Sequence, residues 1–228
     1  MVPYEAIAYP IRNAVDDLPP EALKRSGSIF YSGKEAFVGR KPLYILGLNP
    51  GGIPAEVPTT TIAGSIDVFK RRDEPWTEYL ASWEDAEPAT WGLQPRILHM
   101  LEQLKLDPRE IPSSNVVFVQ SRGEKDLELE KAELLQSCWP FHRAAIDNLN
   151  IRTILCFGST AGAWVRGQLG AHNPIDHFTE TNNRGWASRT HVDKVGRQVI
   201  TVTHPSRVDW RNPDADPTPL VQRAIARA

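Results

Sequence analysis

Cysteine is scarce in this chain: 228 residues hold two, Cys138 and Cys156, the second inside an apolar run. Two such thiols support neither a disulfide framework nor a cysteine-rich zinc site. Six histidines are scattered without H-E-x-x-H or similar ligand spacing, so no metal is expected. Long apolar runs are missing too, none approaching the roughly 18 residues of a membrane span. The first thirty residues, broken by Asp16-Asp17 and Pro19-Pro20, lack a secretory apolar region, so the expected address is the cytoplasm, away from membranes. Nor is there an excess of positive charge: the net value is -2 and the pI is near 6.3, which argues against coating nucleic acid through bulk electrostatics. The distribution is uneven. From Thr181 onward eight Lys and Arg stand against four Asp, a local +4, whereas residues 124–133 are acidic. A localised basic face can hold a few phosphates, and an ordinary solvated surface has the same composition.

What is present reads as one domain over residues 1–228, a length sufficient for a single well-packed core. Four apolar, β-branched-rich runs of strand length, "PLYILGL", "NVVFVQS", "RTILCFG" and "QVITVTH", have the near-continuous apolarity of strands covered on both faces. Between them, "PRILHMLEQLKL" spaces Ile97, Leu98, Leu101 and Leu104 as one helical face, and residues 127–149 do so with Leu134, Leu135, Cys138, Phe141 and Ile146. Alternating strands and helices predict an α/β fold, a three-layer α/β/α sandwich around a mainly parallel, four-stranded central sheet. The segment from Pro54 to Trp91 is expected to be irregular and to wrap the mouth of a site, and a short helix is expected at the end of the chain. In such sheets ligands sit beyond the carboxyl ends of strands, which singles out Asn49, Gln120, Ser121, Gly158, Ser159 and His204.

The first strand runs into "GLNPGG", where glycines bring the backbone close to something, whether a ligand, a helix or merely the rest of a tight turn. It is not a dinucleotide fingerprint, because Pro50 interrupts and Ile53-Pro54 follow. The other strand ends read "VQSRG", "FGSTA" and "THPSRVDW". Taken in order, from about Leu43 to Trp210, this set resembles the uracil-DNA glycosylase superfamily, with a G-x-x-P-G loop and an H-P-S loop at its two ends. Asn49 in the first motif resembles the mismatch-specific and single-strand-selective branches. The stretch "LLQSCWPFHRAAIDNLNIRTILCFGSTA" is similar to the iron-sulfur branch, but Cys138 alone cannot hold a cluster of four thiolates and is read as a packed helix residue.

The resemblance implies a monofunctional DNA glycosylase, acting without cofactor as a monomer on a nucleotide flipped out of DNA. Such an enzyme needs a donor near the departing base and a positioned water near the sugar. His204 would be the donor and Asn49 the residue that orients water, an amide having no useful proton affinity. Gly47, Leu48, Pro50 and Gly51 would line the base site, with Phe69 as the aromatic platform (Trp76 being the other candidate) and Gln120 or Ser121 at the Watson-Crick edge. Gly52, Gly158, Ser159 and Ser206 would lie along the DNA backbone, and Arg207-Val208 would wedge into the stack. Gln120 departs from the Asn often found at that point of the family, which leaves the target base, uracil or another altered base, open. A non-catalytic binder of damaged or modified DNA on the same fold is the alternative reading.

Overall fold

The computed structural model describes residues 2–54, 60–83 and 85–228. Along the chain come α1 (Tyr9–Asp16), α2 (Pro20–Leu23), β1 (Tyr44–Gly47), α3 (Ile62–Arg71), α4 (Gln94–Gln103), β2 (Ser113–Asn115), α5 (Lys131–Asn148), β3 (Thr153–Phe157), α6 (Ser159–Leu169), β4 (Asn173–Thr179), β5 (Ala187–Val192), β6 (Gln198–Val202) and α7 (Thr218–Arg227). The strands make one α/β sheet of six, in the order β2-β1-β3-β6-β5-β4. The pairs β2/β1, β1/β3 and β3/β6 are parallel; β6/β5 and β5/β4 are antiparallel.

The sheet is therefore mixed and six-stranded, which corrects the expectation of a mainly parallel sheet of four. The expected strands are those whose residues are buried on both faces, as every residue of β1 and β3 is. The hairpin β4–β5 escapes that pattern because β4 is the sheet edge, exposed at most of its positions. Pro174 and the charged Asp176 suit an edge, where a missing backbone donor costs nothing in the ladder. "NVVFVQS" differs in another way. Only its Asn115 belongs to β2; Val116 to Val119 are buried because the backbone of residues 26–28 crosses them, with the Ser28 N–H donating to the Phe118 carbonyl (3.0 Å) and the Gln120 N–H to that of Ser26 (2.8 Å).

Alternate strand residues feed two apolar clusters on opposite sides of the sheet. Tyr44, Leu46, Ile154, Cys156 and Val199 pack with side chains of α1, α3, α5 and α6; Leu43, Ile45, Leu155, Phe157 and Ile200 pack with those of α4 and α7 and with Trp210. Cys138 belongs to the first cluster, where burial pushes its thiol up to about 11. The segment from Pro54 to Trp91 is not irregular throughout: α3 lies within it, started by the Thr61 side chain accepting from the Gly64 N–H (3.1 Å). Residues 55–59 and 84 of that expected lid lie outside the described residues. Among the described residues no helix is long and apolar enough to cross a membrane.

Candidate functional site

A cleft of about 820 Å³ opens at the carboxyl ends of β1, β3 and β6, within the roughly 300–1,000 Å³ typical of ligand sites. The strand-end rule and the sheet order bring distant parts of the sequence together there. Gly47, Leu48, Asn49 and Gly51 line it from β1, Ser121 from the loop after β2, Gly158 and Ser159 from the start of α6, and His204, Ser206 and Arg207 from the loop after β6.

Asn49 is held by bonds that also settle its orientation. Its amide nitrogen donates to the Pro50 carbonyl (2.7 Å), which can only accept, and to Ser121 Oγ (2.9 Å), whose own proton goes to the Gly123 carbonyl (2.9 Å). The amide cannot be reversed without facing oxygen to oxygen. Among the described residues no hydrogen bond reaches Asn49 Oδ1, so the acceptor end is the one left for a ligand.

His204 is fixed as firmly. The Ser206 N–H donates to its Nδ1 (3.1 Å), and the Ser206 hydroxyl lies 2.8 Å from the same atom. An N–H can only donate, so Nδ1 is the unprotonated nitrogen and Nε2 carries the hydrogen. Burial, then the positive charge of Arg207, lower the His204 pKa below its ordinary value, so the ring is neutral at neutral pH and offers one donor. The surrounding turn is pinned at three points: the Arg207 N–H donates to the His204 carbonyl (2.8 Å), Arg96 of α4 to the Pro205 carbonyl, and Arg184 to the Arg207 carbonyl (3.2 Å).

The floor holds residues that the sequence does not single out: Tyr31, Tyr79, Ser114 and Asn115. Asn115 is buried, and its side chain interacts with the Tyr31 hydroxyl. Burial raises the phenols of Tyr31 and Tyr79 well above their ordinary values, so both stay protonated. Gly47 is required by this floor, because a Cβ there would collide with Asn115 Oδ1. Gly158 is required for a different reason: it precedes α6 at φ +85°, a conformation that favours glycine. Asn115 is the last residue of β2, but "NVVFVQS" reads as a strand that begins rather than ends there, so the strand-end rule passes over it. Tyr31 and Tyr79 lie in segments with no periodic signal.

Several expected site residues are placed elsewhere. Phe69 is a core residue, stacked on Phe30 with centroids 3.6 Å apart, and cannot be a platform for a ligand in the cleft. Trp76 is buried too, beneath Arg72. Val208 packs with Phe157 and Trp210 on the α4/α7 side of the sheet, which removes it as a wedge; Arg207 beside it is exposed. Gln120 does not line the cleft: its Oε1 accepts from Ser26 (2.6 Å) and its Nε2 donates to the Gly51 carbonyl (2.9 Å), so it braces the glycine loop. Pro50 is buried behind Asn49, and Gly52 is exposed, where a Cβ would lie 2.9 Å from Gln120 Nε2.

Ser159 shares its corner with an acid. Glu124 lines the cleft, accepts from Thr160 Oγ1 (2.9 Å) and pairs with Lys131 (3.0 Å), so a carboxylate already stands beside the first turn of α6. Among the described residues no cluster of three or more His, Cys, Asp and Glu could hold a metal ion. Comparison of the chain with models of known protein families and with curated proteins finds no match to either.

Proposed function

We propose that this protein is a monofunctional DNA glycosylase that hydrolyses the N-glycosidic bond of uracil or another altered base, on a three-layer sandwich of the kind its motifs resemble. The observation that carries the reading is a neutral His204 with Nε2–H as donor in the same cleft as Asn49, whose amide is turned so that Oδ1 is free. In the reaction, the C1′–N bond breaks with its electron pair leaving on the base, and a water oxygen bonds to C1′. His204 Nε2–H would donate to a base oxygen as charge builds on it, while Asn49 Oδ1 would accept from the attacking water. The water's proton goes to solvent, since an amide does not hold it, which fits a modest rate.

The polar floor supports reading a base edge. Asn115 supplies both a donor and an acceptor, and the protonated Tyr31 a hydroxyl, in a cleft whose wall includes the largely buried Phe157. This assigns to Asn115 the role that the sequence suggested for Gln120 or Ser121. The test is a panel of oligonucleotides carrying uracil, hypoxanthine or modified cytosines, incubated with stoichiometric protein and then cleaved with alkali. Strand scission at one altered base is the expected result. Tight binding without scission on every member would refute catalysis and leave the non-catalytic reader.

A further inference from the structure

The hairpin β4–β5, which lies beyond the expected sheet, delivers an indole to the rim of the cleft. Trp186, the residue before β5, lines the cleft and remains 43% exposed. Its position is not loose. The Glu180 N–H donates to the Trp186 carbonyl (2.9 Å), and the intervening turn is closed by Gly185 N–H to the Asn182 carbonyl (3.1 Å). Arg184 lies over the indole, 5.0 Å from its centroid, while the same guanidinium pairs with the buried Glu180 (3.2 Å) and donates to the Arg207 carbonyl (3.2 Å). One face of the ring is thus taken by a cation that is itself tied to the His204 loop, and a large aromatic surface is left in water.

We infer that Trp186 is a stacking platform for an unpaired nucleobase adjoining the one that enters the cleft, with Arg184 fixing its orientation. The inference rests on the DNA reading above. Stacking explains the features together: every base has a π-face, an ordered indole loses little freedom on binding, and Arg207 stands beside it for a phosphate. The residues that precede the indole, Asn182, Asn183, Arg184 and Gly185, are polar or lack a side chain, which favours a nucleobase over an apolar protein patch.

The test is binding, not excision. Anisotropy titrations would compare a short oligothymidine with a strand of the same length whose bases are replaced by abasic spacers. Trp186→Ala should weaken oligothymidine binding roughly ten-fold, the scale of one lost base–aromatic stack. It should leave spacer binding and the salt slope unchanged, and Trp186→Phe should recover most of the loss. Wild-type affinity of Trp186→Ala for oligothymidine would overturn the inference, as would an equal loss on the spacer strand. If the protein excises a base but Trp186→Ala binds normally, only this inference fails; if the stacking signature is present but no base is released, only the glycosylase reading fails.

Discussion

Replacement of His204 by Ala is the most direct probe of the cleft, because the structure leaves that ring a single donor. Nδ1 is occupied by the Ser206 N–H at 3.1 Å, so Nε2–H is the only group the imidazole can offer to a departing base. Loss of one preorganised donor to a developing anion costs about 10²–10³-fold in rate, or about 2.7–4 kcal/mol of transition-state stabilisation. Single-turnover excision by His204→Ala should therefore fall by about that factor, with affinity for an abasic product nearly unchanged. Ser206→Ala should cost less than about ten-fold, since it removes one neutral hydrogen bond and keeps the backbone N–H that selects the tautomer. The pH profile follows from the sign of the shift. A pKa held below the ordinary histidine value means that the neutral donor persists from neutral to alkaline pH and is lost only on acidification, so the His204 contribution should be flat above neutrality. Unchanged excision by His204→Ala, or an imidazolium signal from this ring by NMR at neutral pH, would refute the reasoning.

Arg207→Gln should raise the His204 pKa, read by NMR titration, because it removes the nearby positive charge, and should flatten the salt dependence of DNA binding by up to about one unit of log-log slope. Gly47→Ala should leave a folded protein that no longer holds a base, since the added methyl displaces the Asn115 amide; retention of product-base affinity by calorimetry would contradict the assigned floor. His142 bears on stability: burial lowers its pKa to about 3, so the unfolded chain binds a proton that the native state refuses as pH falls from about 6.5 toward 3. Its contribution is fully present above that window and should be lost at about 1.4 kcal/mol per pH unit within it; denaturant titrations of His142→Phe should show a shallower acid limb, and an identical limb would exclude the group as the cause.

The sequence alone determined the parts whose signal is local. Continuous apolar runs mark β1, β3 and β6 because those strands are covered on both faces, helical spacing marks α4 and α5, and the strand-end rule points to Asn49, Ser121, Gly158, Ser159 and His204, all of which meet at one cleft. Tertiary structure decided what depends on which surfaces face each other. Phe69, Val208 and Gln120 have the right residue types for a site, but their neighbours turn them into core or brace. Tyr31, Tyr79 and Asn115 become a floor only when segments well separated in the sequence are folded beside Gly47. The hairpin β4–β5 is the clearest case: an edge strand pairs by its backbone, to which side-chain periodicity is nearly blind, so the position of Trp186 on the rim exists only in the assembled sheet.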